Sequence, residues 1–339
     1  MKLGTIHNWG ENLEAYRSDL RLCSDLGYDY IGIGDSPAGW HEMFLSMAIA
    51  VEETQMATVV PMVTSPFLRH PIVTANGIAS LHAMSSGRAM LGFASGGSSV
   101  MSIGREPATL AQMAREITTF RDLFAGRGSE FEGREVKPLR YPRNVPIMLS
   151  AFGPKAVKLA GEIADGVILF SGAKQLDKLA QQIALFRDAA RSVGRDPSQM
   201  HIWVTSFCSV QETRAQAIDD IKAFLASSPA AFPRTREALE ALPVVYRERI
   251  LEYRSRYDPT EHVVPGGRNA AAIDELGLAE FLADFDTVIG TPKDVGEALD
   301  EMEALGVDVF FAALPGLVDR QNTIRALAAL PGRGLVSSR

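Results

Sequence analysis

Hydroxyls, glycines and aromatic rings crowd five short stretches of this sequence. They are His7-Asn8-Trp9-Gly10, Asp35-Ser36-Pro37-Ala38-Gly39-Trp40-His41, Thr64-Ser65-Pro66-Phe67-Leu68-Arg69-His70-Pro71, Ser95-Gly96-Gly97-Ser98-Ser99 and Ala151-Phe152-Gly153-Pro154-Lys155. An imidazole titrates near neutrality, so His7 and His41 are candidate proton donors; the plain alternative is a loop histidine with its hydrogen bonds met. Trp9 and Trp40 can stack on a flat ligand and shut out water, or else pack in the core. Asp35 either faces a ligand or serves as a helix cap or turn residue. Gly153 and Pro154 read as the start of a helix, where free amides favour an anion and glycine lets a phosphate approach. An ordinary turn with proline in the first helical position is the alternative. Ser95 and Gly96 offer a second wall, with loop glycine as the plain reading.

The same stretches are poor in carboxylates. No His-x-His pair and no His/Asp cluster at metal-ligand spacing is present, so a hydrolytic metal site is not expected. No Gly-x-Ser-x-Gly elbow occurs, and Lys174 is the one weak candidate for Schiff-base chemistry. What remains is a broad, weakly charged pocket with aromatic walls and exposed backbone amides. It suits a large planar ligand with a phosphate or similar anionic tail.

The elements that must position these residues follow a repeat. Apolar or β-branched runs at Leu3–His7, Tyr30–Gly34, Thr58–Val63, Ala89–Ala94, Ile147–Ser150, Gly166–Phe170, His201–Val210 and Val307–Ala313 alternate with segments of helical period. Eight such units predict a (β/α)8 TIM barrel, whose active site lies at the C-terminal ends of the strands, where the five stretches fall. A doubly wound sheet is the rival, but no Gly-x-Gly-x-x-Gly follows the first strand. Residues 1–339 are expected to form one domain with two insertions, at about 105–145 after strand 4 and about 225–286 after strand 7. Gly126–Val145 reads as a loop or small hairpin, and Leu225–Asp286 as a partly helical excursion over the catalytic face. His201 and Arg88 fall at the opposite, N-terminal ends of strands and read as stabilising.

With a net charge of −7 and 46% hydrophobic residues over 339 positions, no basic run meets nucleic acid. No apolar stretch is long enough for a bilayer. Cys23 and Cys208 cannot frame a disulfide scaffold, and the N-terminus turns polar at once, so a reducing cytoplasmic setting is expected.

Several blocks resemble the bacterial luciferase-like superfamily: Thr64 through Pro71, with its Thr and Arg-His-Pro; Ser80-Leu81-His82-Ala83-Met84-Ser85-Ser86-Gly87-Arg88; and Leu91-Gly92-Phe93-Ala94-Ser95-Gly96-Gly97. Pro146 through Pro154, Leu159 through Val167 and Thr291-Pro292 are similar as well. His82 stands where that family often has Asp, and Ala94 where it often has Gly. The resemblance spans roughly residues 1–210 and 287–315, and its later blocks look close to methylenetetrahydromethanopterin reductase-like members.

The resemblance implies a TIM-barrel oxidoreductase. Its first reading is a two-component monooxygenase that uses reduced FMN and O2 on a small organic substrate, fed by a separate flavin reductase. The alternative is hydride transfer with a deazaflavin coenzyme of the F420 type, and a third reading is a non-catalytic flavin-binding barrel. Cofactor contacts are then expected from Asp35, Thr64, Ser65, Ser95, Gly96, Ala151, Phe152, Gly153 and Pro154. Several members carry a non-prolyl cis peptide at the end of strand 3. Catalytic candidates are His7, Trp9, Asp35 and His41, and substrate-side candidates are Trp40 and Met101. Ser95 departs from the deazaflavin dehydrogenases, which place a glutamate acid there. A homodimer formed through helices is also expected.

Overall fold

A computed structural model describes residues 1–226, 228, 230–233, 236–258, 261, 264, 266–314 and 320–333. Its strands are β1 (Lys2–His7), β2 (Tyr30–Ile33), β3 (Thr58–Pro61), β4 (Leu91–Phe93), β5 (Ser129–Phe131), β6 (Arg134–Val136), β7 (Ile147–Ser150), β8 (Gly166–Phe170), β9 (His201–Val210), β10 (Thr287–Gly290) and β11 (Val309–Ala313). Eight of them pair in parallel in the order β3-β2-β1-β11-β9-β8-β7-β4. Two isolated parallel bridges, Val59 with Ala89 and Thr64 with Phe93, join β4 back to β3. The result is the expected TIM barrel.

Strand periodicity sorts the core into two zones. In β8, Ile168 belongs to an inner cluster while Val167 and Leu169 belong to the outer one, as alternate side chains on one strand must. The inner cluster fills the barrel with Tyr30, Val60, Met90, Met148, Ile168, Trp203, Val309 and Phe311. Tyr30, Trp203 and Phe311 meet with ring centroids 5.1–5.7 Å apart. The outer cluster packs the strands against the helices.

Local sequence explains the helix starts near the site. Pro71 occupies the first turn of the helix Pro71–Met84, and the His70 side chain accepts from the Ile72 amide. Thr109 and Gln112 form a capping box for the helix Leu110–Phe124, as do Thr291 and Asp294 for the helix Pro292–Ala304. At the other end of the barrel, Arg88 donates to the Ala57 carbonyl at 2.6 Å, and His82 Nδ1 donates to the Ala89 carbonyl at 2.8 Å. The histidine that replaces the family's aspartate thus anchors the entry to β4.

Three expectations need correction. The run read as one strand over Thr58–Val63 leaves the ladder after Pro61, and its Met62–Val63 peptide is cis, two residues ahead of Ser65. The last strand starts at Val309 instead of Val307. An additional strand, β10, continues the sheet beside the upper half of the ten-residue β9, pairing Thr287 with Phe207 and Gly290 with Val210. The insertion after strand 4 does contain a hairpin, β5–β6. The excursion after strand 7 contains the helices Arg236–Glu240, Val244–Arg256, Arg268–Glu275 and Ala279–Asp286. Its end meets the loop after β8, where the Ala173 amide donates to the Thr287 carbonyl at 2.8 Å, so it lies on the C-terminal side of the strands.

Candidate active site at the C-terminal end of the barrel

The segments after β1, β2 and β3 are tied together by one polar network. Asp35 is buried; its Oδ2 accepts from Thr64 Oγ1 at 2.5 Å and from Arg69 Nη1 at 2.6 Å, and its Oδ1 accepts from Arg69 Nη2 at 3.2 Å. Arg69 also donates to Glu42 Oε1 at 2.6 Å, while Glu42 Oε2 caps the helix Met43–Glu53 through the Leu45 amide. The guanidinium lies 5.0 Å from the Phe44 ring centroid. Burial works against its charge, but the bonds to Asp35 and Glu42 outweigh this and hold its pKa above the usual value. Asp35 is thus neither a helix cap nor a free carboxylate. Arg69, which the sequence marks only as part of an Arg-His-Pro block, is its principal partner.

Beyond this network, Ser65 meets the segment that follows β4. Ser65 is buried, and its hydroxyl has no hydrogen-bond partner among the described residues. Beside it Gly96 takes φ +85°, and a Cβ there would stand 2.6 Å from Val100 Cγ1 and 3.2 Å from Ser65 Oγ, so only glycine fits. The Ser95 carbonyl accepts from the Ala108 amide at 2.8 Å, while Gly97 faces open space. Across the mouth, the buried Ala151 donates its amide to the Ile168 carbonyl. Phe152 is 60% exposed, and its carbonyl accepts from Gln182 Nε2 at 3.0 Å. Gly153 caps the helix Pro154–Ile163 with no side-chain hydrogen bond, and nothing stands within 4 Å of where its Cβ would be. That bare helix start can receive an anion.

The four catalytic candidates do not converge. His7 is fully buried on the outer side of β1, opposite in phase to Ile6, which packs on the inner cluster. Its Nε2 lies 2.8 Å from Thr5 Oγ1 and 3.5 Å from Cys23 Sγ on the helix Leu13–Asp25. Burial, reinforced by the charge of Arg320, lowers its pKa to about 3. His7 therefore faces the helix layer as a neutral ring and not the mouth, which corrects its assignment as a proton donor. Trp9 and His41 do meet, with ring centroids 4.2 Å apart, and the His41 amide donates to the Trp9 carbonyl. Trp9 also stacks toward Tyr16 at 6.5 Å. Trp40 is exposed on the loop after β2, and Met101 is exposed at the end of the short helix Ser98–Met101. Two aromatic residues that the sequence reading passed over, Phe170 and Phe207, sit at the mouth with ring centroids 5.7 Å apart.

Two cavities, of about 510 and 440 Å³, lie at the other end of the barrel. Lys2, Tyr30, His201 and Asp308 line the larger, and Arg187, Asp196 and Asp308 the smaller. Asp308 is engaged there by the Ile202 amide, in keeping with a stabilising role for that face. Among the described residues no three His, Cys, Asp or Glu side chains are grouped to hold a metal, and no helix is long and apolar enough to cross a membrane.

A sequence profile described as "Luciferase-like monooxygenase" matches residues 4–309. The chain belongs to this family. Among the relatives of this luciferase-like oxidoreductase is the 5,10-methylenetetrahydromethanopterin reductase of Methanolobus tindarius, 26% identical over 322 residues and covering 91% of this chain and 92% of the relative. The F420-dependent glucose-6-phosphate dehydrogenase of Nakamurella multipartita is 30% identical over 228 residues, covering 62% of this chain and 67% of the relative. The solved coenzyme F420 dependent tetrahydromethanopterin reductase from Methanopyrus kandleri superposes with a TM-score of 0.77 at 19% identity, covering 97% of both chains, and shares the fold.

Proposed function

We propose that this luciferase-like oxidoreductase works with a deazaflavin coenzyme of the F420 type and moves hydride between it and a small organic substrate. The full-length similarity to a methylenetetrahydromethanopterin reductase is the observation that carries this choice, together with the F420-dependent dehydrogenase among the relatives. The residues at the mouth fit such a group. Ser65 offers an unpaired buried hydroxyl, Gly97 leaves room along one wall, and the bare helix start at Gly153 suits an anionic tail. When bound, the coenzyme supplies a hydride at its ring. The chain's own task is to orient it and exclude water: Ser65 and Thr64 on one side, Ala151, Phe152, Gly153 and Pro154 at the tail, Trp9 and Trp40 toward the substrate. Asp35 acts by fixing Thr64 and Arg69, and His41 is the imidazole at the rim, held against Trp9.

A second reading, reduced FMN and O2 with a separate flavin reductase, is favoured by one residue. Ser95 stands where deazaflavin dehydrogenases carry an acidic side chain, so the mouth lacks that acid. Anaerobic fluorescence titration with reduced FMN and with reduced F420, followed by admission of O2, separates the two. Selective F420 binding without an oxygen reaction supports hydride transfer. Tight binding of reduced FMN followed by a transient absorbing species after O2 replaces it with the monooxygenase, and binding of neither defeats both.

We also infer a homodimer. The helices Met43–Glu53 and Pro71–Met84 pack closely, with Phe44 against Gly77, yet leave Leu45, Val73 and Met84 exposed outside. Sedimentation at micromolar concentration should give twice the chain mass; a monomer refutes it.

A further inference from the structure

We propose that Phe170 and Phe207 form the contact face for a flat, uncharged ring of the substrate, an aromatic compound. This rests on the oxidoreductase reading of the mouth. Strand phase places both rings inside the barrel: Phe170 is two residues beyond Ile168 in β8, and Phe207 four beyond Trp203 in β9, both inner-cluster residues. Large apolar side chains in such positions ordinarily merge into the core. These two do not: among the described residues neither packs into the inner or the outer cluster. They meet each other instead, edge to face with planes at 73°, and Phe152 at the rim leans on Phe170 at 6.1 Å. Phe207 continues the row to Phe224 at 5.8 Å.

The polar groups nearest in sequence are spent on the protein. Thr205 Oγ1 donates to the Phe311 carbonyl at 3.2 Å, Ser206 Oγ to the Asp286 carbonyl at 3.2 Å, and Ser171 Oγ to the Gly172 carbonyl at 3.3 Å. On the facing side Asp35, Thr64 and Arg69 are bonded to one another. With these hydroxyls committed, the ends of β8 and β9 present the two ring faces, which recognise a flat apolar body by stacking.

The neutral bicyclic probe 2-naphthol tests this by fluorescence titration of the full chain, with reduced FMN and reduced F420 titrated separately. Phe170→Leu and Phe207→Leu keep most of the volume and remove the aromatic faces, and thermal unfolding checks that both still fold. The double variant should bind 2-naphthol ~10-fold more weakly, with cofactor affinity within about twofold of the parent. Should the parent fail to bind 2-naphthol, or the variants bind it equally well, the proposal is overturned. A parallel loss of cofactor affinity also overturns it, because the phenylalanines would then hold the coenzyme. A parent that binds neither cofactor defeats the oxidoreductase reading separately, while the 2-naphthol comparison still decides the fate of the ring face.

Discussion

Glu116 sits in the middle of the helix Leu110–Phe124 with only 6% of its surface exposed, on the same buried side as Met113 and Phe120. Burial, and then the like charge of Glu132 in the β5–β6 turn, raise its pKa from 4.5 to about 7, with Arg115 opposing. The unfolded chain ionises this group near 4.5, whereas the folded chain keeps its proton until about 7. Between those values the native state binds more protons than the unfolded state, so stability falls as pH rises. At 1.36 kcal/mol per pH unit, the span from 4.5 to about 7 amounts to about 3 kcal/mol, present in full at the acid end and lost above 7. Glu116→Gln removes the titration while keeping the shape. Relative to the parent, the variant should gain about 3 kcal/mol between pH 4.5 and pH 8. With ~2.1 cal/mol/K of unfolding entropy per residue over 339 residues, that is about 4 °C in Tm. Calorimetry of both proteins across that range reads the difference directly. Parallel Tm curves would refute the argument, because they would mean that Glu116 ionises alike in both states.

Three further predictions concern the mouth and its surroundings. Arg69→Met leaves Asp35 as a buried carboxylate without its cationic partner, which should cost about 3 kcal/mol in urea unfolding; Asp35→Asn with Arg69→Met together should recover part of that loss, and failure to do so would uncouple the pair. Ser65→Ala removes a hydroxyl with no internal partner, so stability should hold or rise by about 1 kcal/mol while cofactor affinity falls several-fold; equal affinity in titration would remove Ser65 from the cofactor wall. The His7 imidazole, held to a pKa of about 3, should stay neutral from pH 8 to pH 5 in long-range nitrogen–proton NMR spectra, and a titration midpoint near 6 would contradict its burial.

The barrel was legible because its strands are short, apolar and separated by turn residues, so all eight barrel strands fall within or beside the runs read from sequence. β10 was hidden because it is only four residues long and follows the helix Ala279–Asp286 with no intervening loop. The excursion itself was visible as helical patterns, but its anchoring was not: Asp286 Oδ2 accepts from the Ala230 amide, 56 residues away in sequence. His7 and Ile6 show why strand ends mislead. A one-residue change of phase moves a side chain from the lumen to the helix layer, and nothing in the local sequence marks which of two neighbours faces inward. The Asp35–Arg69 pair spans 34 residues and two loops, so it emerges only when β2 and β3 stand side by side. Phe170 and Phe207 read simply as apolar ends of strands; counting in twos from a residue known to face inward would have singled them out.

The two sides of the mouth differ in what they leave uncommitted, and this bears on the chemistry. Near β1–β3, Asp35, Glu42, Thr64 and Arg69 spend their charge and hydrogen bonds on each other, which fixes the backbone from Thr64 to Arg69. Such a surface can position a ligand with little reorganisation, but Asp35 would have to give up Arg69 to act as a base, an expensive exchange in a buried setting. Near β8–β9 the phenylalanines carry no protonable group at all. With His7 turned toward the helices and Ser95 in place of an acid, His41 is the histidine among the catalytic candidates that remains at the rim, held against Trp9. A mouth built this way suits a reaction in which the cofactor performs the bond-making and the protein provides alignment and dryness, with few proton-carrying side chains uncommitted among the described residues of the catalytic candidates.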